Sequence, residues 1–259
     1  MRLFVSLLCS ATLLFFSGVM SAFAQDDKLE ELGFEEGTYE EEKPPYFAVG
    51  GGYIGTFQMM NFDQINLIAK NFGVSDFDGG IFCSGVGGIA PVLIVKNLRV
   101  TVGGYSGSIT RDAKTFDTTL KSDINLNMSV TSSVNSFGLD YAFQPFKGFA
   151  VLPGASFGWG SLTIERAKTS GAVEYTTGTA QAGTQSLNKL GANYLFVQPN
   201  LHLEYAVTQF AMIRVSAGYM LSFMGDWEMN GIAKVNNVPK ELNSNALTLQ
   251  FGVFVGLFN

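Results

Sequence analysis

The sequence is short of charge, cysteine and histidine. Only 15% of its 259 residues are charged and the net charge is −6, whereas ordinary domains carry about 25% charged residues. A nucleic-acid binder needs a basic face, and that balance excludes one. Two Cys cannot build a disulfide framework or a Cys-rich zinc site. One His leaves too little material for a His-rich metal centre. There is no phosphate-binding glycine loop and no metal-spaced cluster, so no cofactor is expected. Beyond residue 24 no apolar run reaches 18 residues, so no spanning helix is expected. What the chain has in plenty is Gly (30), Phe (23) and Tyr (9).

The N-terminus divides into two parts by composition. Leu3–Val19 is mostly apolar, follows Arg2, and leads to Ala22-Phe23-Ala24. Small residues at those two positions fit signal-peptidase cleavage before Gln25, so residues 1–24 are expected to be a cleaved export signal. Cys9 would leave with it, and Cys83 would remain as one thiol with no intramolecular partner. Asp26–Lys43 then holds nine acids and two bases and ends at Pro44-Pro45. Residues 25–45 are expected to form an acidic, flexible segment, too poor in apolar residues to build a core. From Pro44 to Asn259 there are 13 acids and 13 bases, so the body is neutral.

That body alternates with period two, the pattern of strands. Leu247, Leu249, Phe251, Val253, Val255 and Leu257 share one face of the last segment. Ile213–Phe223, Leu195–Tyr205 and Phe137–Phe143 behave in the same way, and Tyr46–Phe57, Gly80–Ile94, Leu98–Arg111 and Phe149–Arg166 are Gly-rich strand candidates. The eight segments are joined by connections that alternate strictly. Those at 58–79, 112–130, 167–192 and 225–245 are long, and Val95–Asn97, Pro145–Gly148 and Val207–Gln209 are short. Transmembrane barrels have an even strand number, short turns at the periplasmic end and long outer loops. An all-β fold is therefore expected: residues 46–259 form an eight-stranded antiparallel up-and-down transmembrane β-barrel. Its apolar face meets lipid, and its small or polar face fills a narrow interior. Aromatic girdles are expected from Tyr46, Tyr141, Phe143, Phe149, Trp159, Tyr205, Phe210 and Phe223. In the first long loop Asn61 has the character of an N-cap, Phe62, Ile65, Ile68, Ala69 and Phe72 recur at helical spacing, and Gly73 ends the run. A short amphipathic helix capping one mouth is expected there.

In this layout the chain resembles small bacterial outer-membrane β-barrel proteins, the eight-stranded OmpA/OmpX/OmpW-like class. The resemblance covers about 46–258. Gln250, Gly252, Val255 and Leu257 also look like the assembly signal of that class, although the chain ends on Phe258-Asn259 instead of an aromatic residue. The resemblance implies outer-membrane localisation in a Gram-negative bacterium, with membrane lipids and the barrel-assembly machinery as partners. A monomer is expected.

Four charges fall on inward positions close to the short turns: Arg99, Asp140, Glu204 and Arg214. Glu204 and Arg214 flank the turn at 207–209 and should be cross-strand neighbours. Two acids and two bases balance, and a salt-bridged plug is the expected role. His202 points inward beside Asn200 and Glu204, with no Ser placed next to it, so no catalytic site is expected. The pairs Asp76/Asp78 and Asp226/Glu228 are expected to be solvated loop carboxylates. Three classes of function follow. A structural or surface-interaction barrel is favoured. A narrow solute conduit and a lipid-modifying enzyme are the alternatives, and a soluble periplasmic barrel would need the opposite arrangement of faces.

Overall fold

The computed structural model describes residues 46–118, 122–170, 174–176, 179–181 and 185–259. The expected export signal and acidic segment (1–24 and 25–45) lie outside them, as does Cys9.

The strands are β1 (Ala48–Met60), β2 (Ile81–Pro91), β3 (Leu98–Asp117), β4 (Ser122–Tyr141), β5 (Phe143–Phe146), β6 (Phe149–Ser170), β7 (Glu174–Thr176), β8 (Thr179–Gln181), β9 (Gln185–Thr208), β10 (Ala211–Met229), β11 (Ala233–Val235) and β12 (Ala246–Phe258). Helix α1 (Asp63–Phe72) lies between β1 and β2. Among the described residues, eight long strands pair antiparallel in the ring β1-β2-β3-β4-β6-β9-β10-β12. The ring closes where β12 returns to β1, from Ala48↔Phe258 to Met60↔Ala246. The strand number and up-and-down order expected from the sequence are those observed. The pairs β5–β6, β7–β8 and β10–β11 are short additions to the ring connections.

Near the short turns the faces are as expected. Leu247, Leu249, Phe251, Val253, Val255 and Leu257 are exposed, while Thr248, Gly252 and Phe254 between them are buried. Ile213, Val215, Tyr219, Leu221 and Phe223 form an equivalent outer row on β10. Ten residue steps span about 33 Å along a strand, or about 25 Å along the axis at a tilt of about 40°. That is the height of the apolar band of a membrane barrel. Tyr141, Phe143, Tyr205 and Phe210 line its lower edge, and Trp159 and Phe223 its upper edge, all exposed. Tyr46 departs from the expected girdle and turns into the lumen.

The connections at 112–130 and 167–192 are the main correction. They were expected to be loops, but β3 runs to Asp117, β4 starts at Ser122, β6 runs to Ser170 and β9 starts at Gln185. The period of two continues there with its faces exchanged. Ile124, Leu126, Met128 and Val130 point inward and are buried, as are Leu162 and Ile164, while Asp123, Asn125, Asn127 and Ser129 face out. Polar residues on an outward face have the composition of loop wherever the apolar face is expected to stay outside. The long strands therefore rise above the bilayer as a wall with an apolar core.

Helix α1 closes that core. Phe62, Ile65 and Ala69 are buried in it, and Gly73 ends the helix at φ 92°, a conformation glycine adopts without strain. The cap position is Phe62; Asn61 instead accepts from the Asp63 N–H at 2.7 Å. The side chain of Asn66 holds the following loop through the Phe77 backbone, donating at 3.0 Å and accepting at 2.7 Å. With its apolar face covered, the helix is a lid.

The exchange of faces makes one charge cost different amounts at two heights. Val253→Arg, in the middle of the apolar band, is expected to cost about 2–4 kcal/mol. Asn127→Arg, on the outer face of the upper wall, is expected to stay within about 0.5 kcal/mol. Urea refolding into phosphatidylcholine vesicles measures both.

Candidate functional site

The strand register brings the four inward charges together. Arg99 on β3 pairs in register with Asp140 on β4, and Glu204 on β9 with Arg214 on β10. Arg99 donates from Nη2 to its strand neighbour Asp140, at Oδ2, at 2.9 Å, and reaches across the lumen with Nη1. Its Nη1 donates to both carboxylate oxygens of Glu204, at 2.7 and 2.6 Å. Arg214 Nε donates to Glu204 Oε1 at 2.6 Å. Arg99 is 0% exposed and Glu204 1%. Two guanidiniums and two carboxylates balance in a layer near the short turns, as expected. Ions this deep persist only with paired charges and saturated hydrogen bonds, and Glu204 provides the shared acceptor.

Tyr46 is the member that the sequence reading missed. Its hydroxyl donates to Glu204 Oε2 and accepts from Arg99 Nη1 at 3.1 Å. Its backbone N–H donates to Asn97 Oδ1 at 3.1 Å. The last residue, Asn259, pairs with the Phe47 backbone through its own N–H and side chain. The entry to β1 and the exit from β12 thus meet at this mouth, and the Tyr46 ring fills it. Gly154 leaves room for the layer, since a Cβ there would collide with the Asp140 carboxylate. The Arg214 guanidinium lies 4.3 Å from the centre of the Phe254 ring, a favourable cation–π position.

His202 requires a correction. Ser216 on β10 is its register partner, and His202 Nδ1 lies 2.6 Å from Ser216 Oγ. His202 Nε2 is 3.3 Å from Asp140 Oδ1, a contact too poorly aligned to count as a hydrogen bond. Acid, imidazole and hydroxyl stand in the order of a hydrolytic triad. The signal for Ser216 was in the sequence: once Glu204 faces Arg214, the same register places Ser216 opposite His202.

Volume decides what this set can do. It borders a polar chamber of about 50 Å³, lined also by Thr101, Gln198, Asn200 and Gln250. One water occupies about 30 Å³ of liquid, and small-molecule sites are about 300–1,000 Å³. The chamber has room for a few waters and none for an ester substrate. Arg214 Nη2 and Gln198 Oε1 are buried without a protein partner and belong to residues lining the chamber.

The remaining candidates fall apart spatially. Gln250 points inward and donates to Thr56 Oγ1 at 2.9 Å, and Gly252 shares that inner face, whereas Val255 and Leu257 face outward. Phe258 is buried on the inner face. Asp76 pairs with Lys70 at 3.6 Å, Asp78 with Arg111 at 2.7 Å, and Asp226 with Lys234 at 2.8 Å. Glu228 lies near the Asp226 pair on the outer wall.

Removing the shared acceptor should be the most costly change in the layer. Glu204→Gln leaves Arg214 without a counter-charge and Arg99 with Asp140 alone, and is expected to cost about 3–5 kcal/mol. Tyr46→Phe removes the hydroxyl that donates to Glu204 and accepts from Arg99 and should cost about 1.5–3 kcal/mol. Urea unfolding in detergent micelles gives both values.

No family model matches the chain, and no curated protein does. Among solved structures it is similar to Ail, the attachment invasion locus protein of Yersinia pestis. In the crystal of Ail with the heparin analogue sucrose octasulfate, identity is 7%, coverage is 82% of this chain and 99% of Ail, and the TM-score is 0.35. In the structure of Ail alone, identity is 10% at the same coverage and TM-score. Acinetobacter baumannii CarO2 matches at 10% identity over 83% of this chain and 100% of its own, with a TM-score of 0.33. Both are small outer-membrane β-barrel proteins.

Proposed function

We propose that this chain is an exported outer-membrane β-barrel with a structural or surface-interaction role and no catalytic turnover. The observation that carries the reading is the closed lumen: a charge-balanced, buried ionic layer fills one end and an apolar core under α1 fills the other. An apolar belt of bilayer height anchors the protein, and the polar outer faces of β3, β4, β6 and β9 stand above it. Interaction then belongs to that wall and its connections. The export signal at 1–24 delivers the chain, and Gln250, Gly252, Val255 and Leu257 engage the barrel-assembly machinery.

A lipid-modifying enzyme is the second reading, because Asp140, His202 and Ser216 form a connected set. Its confinement beside a water-sized chamber argues against turnover. Lipid A from cells expressing the protein should have the same mass spectrum with Ser216 or with Ser216→Ala. A mass change lost in Ser216→Ala would establish the enzyme.

The conduit reading is tested by breaking the plug. Arg214→Leu is expected to destabilise the barrel without opening a stable conductance in planar bilayers, since the apolar upper core still closes the path. A large, steady conductance from that variant would replace the structural reading with a gated channel. In cell fractions the wild type should be found in the outer membrane and shift mobility on heating. A soluble periplasmic product would overturn the membrane reading.

A further inference from the structure

A second concavity lies on the outside of the wall. Between the pairs Tyr194↔Met224 and Ala192↔Trp227, β10 places Gly225 and Asp226 opposite Asn193 alone. Such a bulge bends its strand and interrupts the ladder. Beside it a groove of about 430 Å³ opens, bounded by Ser161, Thr163, Lys189, Asn193, Asp226 and Glu228. Gly191 and Gly225 line the groove and contribute no side chains to fill it. Its volume falls within the range of small-ligand sites, about 300–1,000 Å³.

Its height on the barrel is set by register. Ser161 pairs with Asn193, and two residues towards the short turns Trp159 pairs with Leu195, which in turn pairs with Phe223. Those three side chains are exposed and form the upper edge of the apolar belt. Two residues of strand are about 7 Å, so the groove is the first polar tier above the lipid chains.

Its charge selects the ligand. Asp226 is paired with Lys234 at 2.8 Å, and Lys189 with Glu165 at 3.4 Å. Glu228 stands opposite Lys234 in the β10–β11 register, but the Lys234 ammonium is held by Asp226, which leaves the neighbourhood one charge negative. A phosphate headgroup would meet that surplus. A sugar ring meets carboxylates that accept from its hydroxyls and an ammonium and an amide that donate to them, with the exposed Trp159 indole one tier below. We propose that the groove binds the uncharged sugar headgroup of a glycolipid whose chains lie against Trp159, Leu195 and Phe223. This inference rests on the membrane-spanning reading above.

The test uses the full chain in phosphatidylcholine nanodiscs with and without galactosyl diacylglycerol, followed by native mass spectrometry of retained lipid. The wild type should retain the galactolipid over phosphatidylcholine, with about a tenfold loss of that preference in Gly191→Phe, which fills the groove. Glu228→Gln and Thr163→Val should weaken retention to an intermediate level. With Trp227→Phe, the emission of Trp159 should shift on adding galactolipid and remain still on adding phosphatidic acid. Equal retention by wild type and Gly191→Phe, in chains that insert and shift mobility on heating, overturns the groove alone, as does preference for phosphatidic acid. A wild-type chain that stays out of the discs overturns the membrane reading and the groove with it.

Discussion

A strand inside a hydrocarbon layer has no water to satisfy its N–H and C=O groups, so both of its edges must find partners. The return of β12 to β1 meets that demand, and the rest of the structure depends on it. Once eight strands close, alternate residues are committed to lipid or lumen, and the lumen is only wide enough for side chains. Small residues such as Gly154 and Gly218 then stand beside larger polar ones. The inward charges Arg99, Asp140, Glu204 and Arg214 find their counter-charges within one narrow layer. Glu204 is the centre of that layer because it accepts from Arg99, Arg214 and Tyr46 together.

The barrel holds two different interiors along one axis. At bilayer height its core is polar and ionic, and its outside is apolar. Above the bilayer the core is apolar and capped by α1, and its outside is polar. The upper part follows the rules of a soluble protein, where burying apolar surface from water stabilises the fold. The lower part gains nothing from hiding apolar groups, since lipid surrounds it. The exchange of faces on β4 between Phe137 and Asn127 therefore records where the membrane ends. The same boundary places Trp159, Leu195 and Phe223 directly beneath the outer groove.

Much of this was legible from the order of residues. The eight strands and the layer of Arg99, Asp140, Glu204 and Arg214 follow from period, turn spacing and parity, which are local properties. Ser216 was legible too, by extending the Glu204–Arg214 register two residues, but only the paired strands make the step compelling. Tyr46 could not be placed, since an aromatic near a strand end suits a girdle as well as a plug, and the choice depends on which way the first strand enters. The upper strands were lost for another reason. Asn125, Asn127 and Ser129 have the composition of loop, and the buried row of Ile124, Leu126 and Met128 signals a strand only once water, not lipid, is taken as its surroundings. The bulge at Gly225-Asp226 leaves no local signature at all; it arises from the mismatch between two strands.

The exchange of faces is the central claim, and site-directed spin labelling along β4 tests it most directly. In a Cys83→Ser background, nitroxides at positions 139 and 127 would be compared in vesicles for collision with lipid-soluble oxygen and with a water-soluble nickel chelate. Both positions face outward, and each is flanked along β4 by buried residues. The account predicts that position 139 collides mainly with oxygen and position 127 mainly with nickel, with both labels mobile. Oxygen-dominated collisions at 127, or nickel-dominated collisions at 139, would contradict it.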